Sequence, residues 1–337
     1  MLWFFLIFST LCWGIAEIFY KKGSLPNEKY SHLKTAMFVG FFMGIYALVI
    51  FISQCITPDD PSVGLSFLTH FPINFVCYLP VGLCYMISMV LSYFGVRYIE
   101  ESISDPIENT SGAIVPILCA IFLKEFFDWP VVIGIVIVAL GVIAISFFDK
   151  KGKEDRRKKY GKKLAIWAIA MPFCYMILDA VGTFLDIFYT ESIDSTILVG
   201  LTEDNLEHAA NCAYEFMFLL FAIGIFIFLK IKKVKIFETG EEPKLETGEV
   251  VPQKWYQKVL NQKWKILAAI FETAGQATYL FALSEGSGIA AVILGAGTVI
   301  TSFILSRVFL KEKLSWLQYI FIGIIFAGII MLALLGV

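Results

Sequence analysis

Apolar residues in this chain run in long unbroken stretches, and short polar segments separate them, with neither a helical nor a strand period dominating. A bilayer core is crossed by about 20 consecutive apolar residues in a helix. Ten such segments can be drawn, near 2–20, 34–55, 71–96, 104–123, 130–148, 164–188, 207–229, 265–284, 288–309 and 315–336. They predict an all-α, polytopic membrane protein with ten transmembrane helices. The first segment is followed, not preceded, by lysines (Lys21, Lys22) and lacks a small-residue cleavage site. It is therefore read as a retained helix and not as a secretory signal.

A repeat organises these segments. Phe122-Leu123-Lys124-Glu125 recurs as Phe309-Leu310-Lys311-Glu312, with Trp129 falling on Trp316 and Gly141 on Gly328 at the same offset. The copies follow the fourth and ninth segments, so an odd number of spans separates them. Two five-helix repeats of inverted orientation result, as in many secondary transporters. The boundaries are 1–148 for the first repeat, 149–163 for a basic linker and 164–337 for the second repeat, with a flexible loop at about 230–264.

Composition agrees with a membrane setting. The chain is 58% hydrophobic and 17% charged, whereas soluble chains run at about 45–50% and about 25%. Of 27 Lys and Arg, all but Lys124 fall in loops on one face. Asp59, Asp60, Asp186, Glu191, Asp194, Glu203 and Asp204 are assigned to the other. Because Lys and Arg stay on the cytoplasmic side, the basic face is expected inside and both termini outside. The run from Lys150 to Lys159 is then a topology signal beside anionic headgroups, with no nucleic-acid role. A duplicated E-T-G-E (238–241, 246–249) reads as a linker, and the stretch from Trp255 to Trp264 as an interfacial segment.

Ionisable groups inside a bilayer are costly, so each is a functional candidate. Aligning the first and sixth segments sets Cys12, Trp13, Ile15 and Glu17 over Cys174, Tyr175, Ile177 and Asp179, pairing two acids from equivalent helices. The competing reading pairs Glu17 with Lys21 one turn on. Glu272 and Gln276, one turn apart in the eighth segment, share a face. Glu207, Asn211 and Glu215 form a stripe in the seventh, with Glu207 a helix-start residue and Glu215 a pathway candidate. In the fourth segment Asp105, Glu108 and Asn109 are candidates, although Asp105-Pro106 with Glu108 also suits a capped helix start. Trp13, Tyr78, Tyr85, Tyr175 and Tyr214 can cage a cation through their ring faces. Seven cysteines without C-x-x-C spacing and three scattered histidines imply no metal, no disulfide framework and no cofactor. Nothing suggests an enzyme.

These features together resemble the drug/metabolite transporter superfamily, in particular its ten-helix EamA-type members. The resemblance rests on Trp13-Gly14, the two five-helix halves, Glu125 and Glu312 closing the fourth and ninth helices, and the glycines of the fifth and tenth (Gly134, Gly141; Gly323, Gly328). Ala16-Glu17 is similar to the acidic position of the small multidrug resistance proteins. The resemblance implies a secondary active transporter that moves a small organic metabolite by alternating access, and the intramembrane acids, with no clear intramembrane base, point to a cationic or zwitterionic cargo exchanged for a proton. Its partners would be the substrate and the lipid of a plasma membrane, as monomer or homodimer. Family members are usually drawn with cytoplasmic termini, which the charge pattern here reverses. A flippase for an amphiphilic metabolite and a non-transporting scaffold or sensor are the alternative readings.

Overall fold

The structure, a computed structural model, describes residues 1–25, 27–56, 60–147, 161–191, 194, 196–239, 253–312 and 315–335. Their regular structure is all helical, and no strand occurs among the described residues. The helices are α1 (Leu2–Gly23), α2 (Ser31–Ile56), α3 (Pro61–Cys77), α4 (Leu79–Gly95), α5 (Glu101–Glu108), α6 (Ser111–Phe122), α7 (Trp129–Phe147), α8 (Lys162–Thr190), α9 (Leu206–Ile231), α10 (Trp255–Leu260), α11 (Lys263–Leu305) and α12 (Trp316–Leu334). Five of them, α1, α2, α8, α9 and α11, are long and apolar enough to cross a membrane, and α3 with α4 makes a sixth candidate bent by 57°. Most of the basic linker (148–160) and most of the E-T-G-E loop (240–252) lie outside the described residues, as does Asp59.

Four of the predicted segments depart from simple rods. The third segment begins earlier than expected, at Pro61, where the Asp60 carboxylate caps the helix by accepting from the Ser62 N–H at 2.8 Å. It breaks at Tyr78, beside Pro80, whose ring nitrogen has no proton to donate to the preceding turn. The fourth segment is interrupted between α5 and α6 at Asn109 and Thr110. The eighth and ninth segments run together in α11, which turns at one non-helical residue, Ser287 (φ 47°, ψ −141°).

Packing pairs α1 with α11, α2 with α9, α4 with α8, and α7 with α12. Glycines set the closest crossings. A Cβ on Gly40 would stand 2.2 Å from the Phe218 carbonyl oxygen, and one on Gly112 would stand 2.5 Å from that of Ala291. Small residues at such points let helix backbones meet, which is the main source of association where lipid removes the hydrophobic drive. The outward faces stay apolar, with Phe4, Ile7 and Leu11 on α1 and Ile45, Leu48 and Ile52 on α2 exposed. On a soluble protein that belt would aggregate, and in a bilayer it meets acyl chains.

At the basic end the structure corrects the charge reading. Lys34 and Lys265, assigned to loops, are each only 1% exposed. Both converge on Glu28, at 2.7 and 2.6 Å. Ser31 Oγ and Gln262 Nε2 donate to the same carboxylate at 2.7 and 2.9 Å, and Arg97 donates to the Glu28 backbone oxygen at 2.9 Å. Burial alone would raise the Glu28 carboxyl, but Lys265 and Lys34 outweigh it and hold it below its ordinary value. The cluster joins the first loop to the starts of α2 and α11.

Candidate functional site

A cavity of about 810 Å³, counted out to its mouth, opens where α1, α4, α5, α6, α8, α9 and α11 meet. Trp13, Glu17, Glu108, Asn109, Tyr175, Asp179, Glu272 and Gln276 all line it. The equivalence of Glu17 and Asp179 read from the repeat thus brings both acids to one space. The helix crossings explain how polar groups come to line it. Gly295 lies under the Asn109 carbonyl, where a Cβ would stand 2.8 Å away, and Gly275 lies under the Trp13 indole, 2.6 Å from its Nε1. Larger residues at either point would push the lining helices apart.

One wall is built on Glu272. Tyr20 donates to its Oε2 at 2.9 Å, and Tyr93 donates in turn to the Tyr20 oxygen at 3.0 Å. A second wall carries Asp179 and Glu108. Ser111 donates to Asp179 Oδ2 at 2.6 Å, while Ser92 and Ser104 donate to the two oxygens of Glu108 at 2.8 and 2.7 Å. Deeper along α8 lies Asp186, 1% exposed, which accepts from Tyr85 at 2.8 Å and from Tyr78. The Tyr85 hydroxyl is also 2.8 Å from that of Tyr279, whose ring stands 5.0 Å from the Trp13 ring. A chain of hydroxyls therefore leads from the cavity wall to a buried carboxyl.

Several lining side chains keep unused polar atoms. Trp13 Nε1, Glu17 Oε2, Gln276 Nε2 and Thr298 Oγ1 are buried and have no hydrogen-bond partner among the described residues. Buried polar groups are nearly always paired, so four such atoms around one cavity point to a ligand or ordered water that completes them. Among the described residues none of those lining the cavity is basic. Acids, hydroxyls and the faces of Trp13, Tyr20, Tyr85, Tyr93, Tyr175, Tyr214 and Tyr279 make a surface suited to an organic cation. No group of three or more His, Cys, Asp and Glu among the described residues is placed to hold a metal.

Two expected residues stand elsewhere. Asp105 lies behind Asn109, accepting from its Nδ2 at 2.7 Å and from Ser302 Oγ. The capped-start reading of Asp105-Pro106 does not hold, because α5 begins at Glu101 and carries Pro106 inside it. Glu215, fully buried on α9, does not line the cavity and lies towards Tyr46 of α2. Neither its oxygens nor the side-chain atoms of Asn211, one turn earlier, have a partner among the described residues.

The acidic-face reading of Asp186 does not hold, because its side chain is buried. The available signal was a shared spacing: Asp179 and Asp186 lie two turns apart on one face of α8, as Tyr78 and Tyr85 are spaced in the third segment. Tyr20, Tyr93 and Tyr279 carried no such signal.

A solved crystal structure aligns with the chain over 97% of each, at a TM-score of 0.56 and 12% identity, a likeness that bears on the fold alone. No curated protein matches the chain. The sequence profile of the EamA-like transporter family matches residues 1–147 and 195–334, leaving α8 outside the matched segments. With most of its length covered in two stretches, this all-helical, multi-pass membrane chain belongs to the EamA-like transporter family.

Proposed function

We propose that the protein is a ten-span secondary transporter that carries a small organic cation, or a zwitterion held by its cationic end, by alternating access. The observation that carries this reading is a cavity lined by four carboxyl groups (Glu17, Glu108, Asp179, Glu272) and by no base among the described residues. Carboxyl groups away from bulk water are poised to exchange a proton for another cation, because one positive charge satisfies them as well as the other. Glu272, Asp179 and Glu17 are the exchange residues, and Trp13 and Tyr175 flank the cargo. Gln276, Asn109 and Thr298 supply neutral contacts for its polar part.

Helix pairing supports the two-half architecture. Exchanging the first five segments with the second five turns the α1–α11 pairing into the α4–α8 pairing, and leaves α2–α9 and α7–α12 unchanged. Inverted halves that meet around a central site are the usual basis for alternating access. The basic end faces the cytoplasm in this reading.

A thermal-shift series on the purified protein tests cargo class. Primary and quaternary amines are expected to raise the unfolding temperature more at mildly alkaline than at mildly acid pH, since protons compete for the same carboxyls. Matched organic anions are expected to do nothing. Stabilisation by anions alone would sink the reading.

A further inference from the structure

The repeated motif does more than mark two turns. In both copies the lysine is left-handed, with φ 57° at Lys124 and at Lys311. In both, the next backbone N–H reaches a carbonyl six residues back at 3.4 Å, from Glu125 to Cys119 and from Glu312 to Ser306. This shared cap aims the two glutamates alike. Glu125 Oε2 accepts from Ser287 Oγ at 2.6 Å, at the turn inside α11. Glu312 Oε1 accepts from the backbone N–H of Glu101 at 3.3 Å, at the first residue of α5. Each carboxylate therefore closes the fourth segment of its own half and holds the start of the fourth segment of the other.

The two held segments are antiparallel neighbours that line the cavity between the latched ends. Gly288 stands against Pro116, Gly112 against Ala291 and Gly295 against Asn109, so the two backbones stay close along the crossing. A carboxylate at the start of a helix is also favoured by the unpaired N–H groups there. We propose that Glu125 and Glu312 are reciprocal gate latches, positioning residues that tie the halves together at opposite ends of the cavity. This rests on the alternating-access reading. Opening the end at Ser287 breaks the Glu125 contact while Glu312 still holds Glu101, and opening the other end reverses the two. The central crossing serves as the fulcrum. Because the two ends open alternately, weakening one latch shifts the population towards the state in which the other stays closed.

Hydrogen exchange of the protein in liposomes, read by mass spectrometry, tests this without any cargo. Glu125→Gln is expected to speed exchange around Ser287 and to slow it around Glu101, changing the ratio of the two rates by about tenfold, as loss of one charge-assisted hydrogen bond would. Glu312→Gln is expected to do the reverse. The double variant should return the ratio towards that of the wild type. Ser287→Ala removes the donor and should reproduce Glu125→Gln, which covers the case in which that variant fails to fold. A merely structural cap would raise exchange locally and leave the far end unchanged; that result, or a rise at both ends, overturns the proposal. Cation flux in the same liposomes separates the two readings. Reciprocal exchange without flux keeps the latches and removes the cargo, whereas flux without reciprocity keeps the cargo and removes the latches.

Discussion

Glu28→Gln should be among the most damaging single changes outside the cavity. The carboxylate receives Lys34 at 2.7 Å and Lys265 at 2.6 Å, and all three side chains are almost wholly buried. Gln keeps the shape and removes the charge, leaving two buried ammonium groups without their counter-ion. Their remaining acceptors are neutral, the Glu238 carbonyl for Lys34 and Gln262 Oε1 for Lys265. Breaking a buried pair in this way costs roughly 3–5 kcal/mol. At roughly 2 °C per kcal/mol for a long chain, the unfolding temperature should fall by roughly 6–10 °C. The sign with pH follows from the depressed Glu28 carboxyl. A group whose folded pKa lies below its unfolded value stabilises above the ordinary carboxylate range and loses that contribution as pH falls through the folded pKa. The difference between wild type and variant should thus be full at neutral pH and shrink only on acidification below the ordinary carboxylate value of 4.5. The assay is thermal unfolding of detergent-purified protein over a pH series. Replacing all three side chains together (Glu28→Leu, Lys34→Met, Lys265→Met) should recover most of the loss, because a buried triad is often matched by apolar side chains of similar volume. A Glu28→Gln protein that unfolds with the wild type at neutral pH would refute the burial argument.

Three further substitutions probe packing and unmet polarity. Gly112→Ala places a methyl group where only 2.5 Å separates it from the Ala291 carbonyl, and should lower stability by about 1–3 kcal/mol; Gly224→Ala, where nothing lies within 4 Å, should be neutral or gain about 1 kcal/mol of helix propensity. Glu215→Met removes two buried oxygens that have no partner among the described residues, so its unfolding temperature should rise, and a simultaneous loss of flux would assign Glu215 a functional role.

The acids of the cavity were legible because a charge in an apolar run has few structural excuses. Glu17, Asp179 and Glu272 stand out for that reason, and the internal repeat pairs the first two. Glu125 and Glu312 were visible too, but only as turn markers, since their partners, Ser287 and the Glu101 N–H, lie far away in sequence. Lys265 looks like a loop charge until Glu28, 237 residues away, is folded against it, and Lys34, although only six residues from Glu28, looks like one because nothing in the sequence marks that carboxylate as buried. Tyr20, Tyr93 and Tyr279 are hidden by their type, because tyrosine serves equally at lipid interfaces, in packing and in hydrogen-bond chains. The start of α5 was displaced because Asp105-Pro106 is a good capping pair locally, while tertiary packing of Glu101 against Glu312 carried the helix further back.

Flux of an organic cation into liposomes containing the purified protein, driven by an imposed pH gradient, is the most direct measurement of the proposed exchange. The wild type should accumulate the cation against its gradient and release protons in step. Glu272→Gln should fold normally and lose the dependence on pH across the mildly acid to mildly alkaline range. Unchanged, pH-dependent flux in Glu272→Gln, or no pH-driven flux of any organic cation in the wild type, would contradict proton exchange at this cavity.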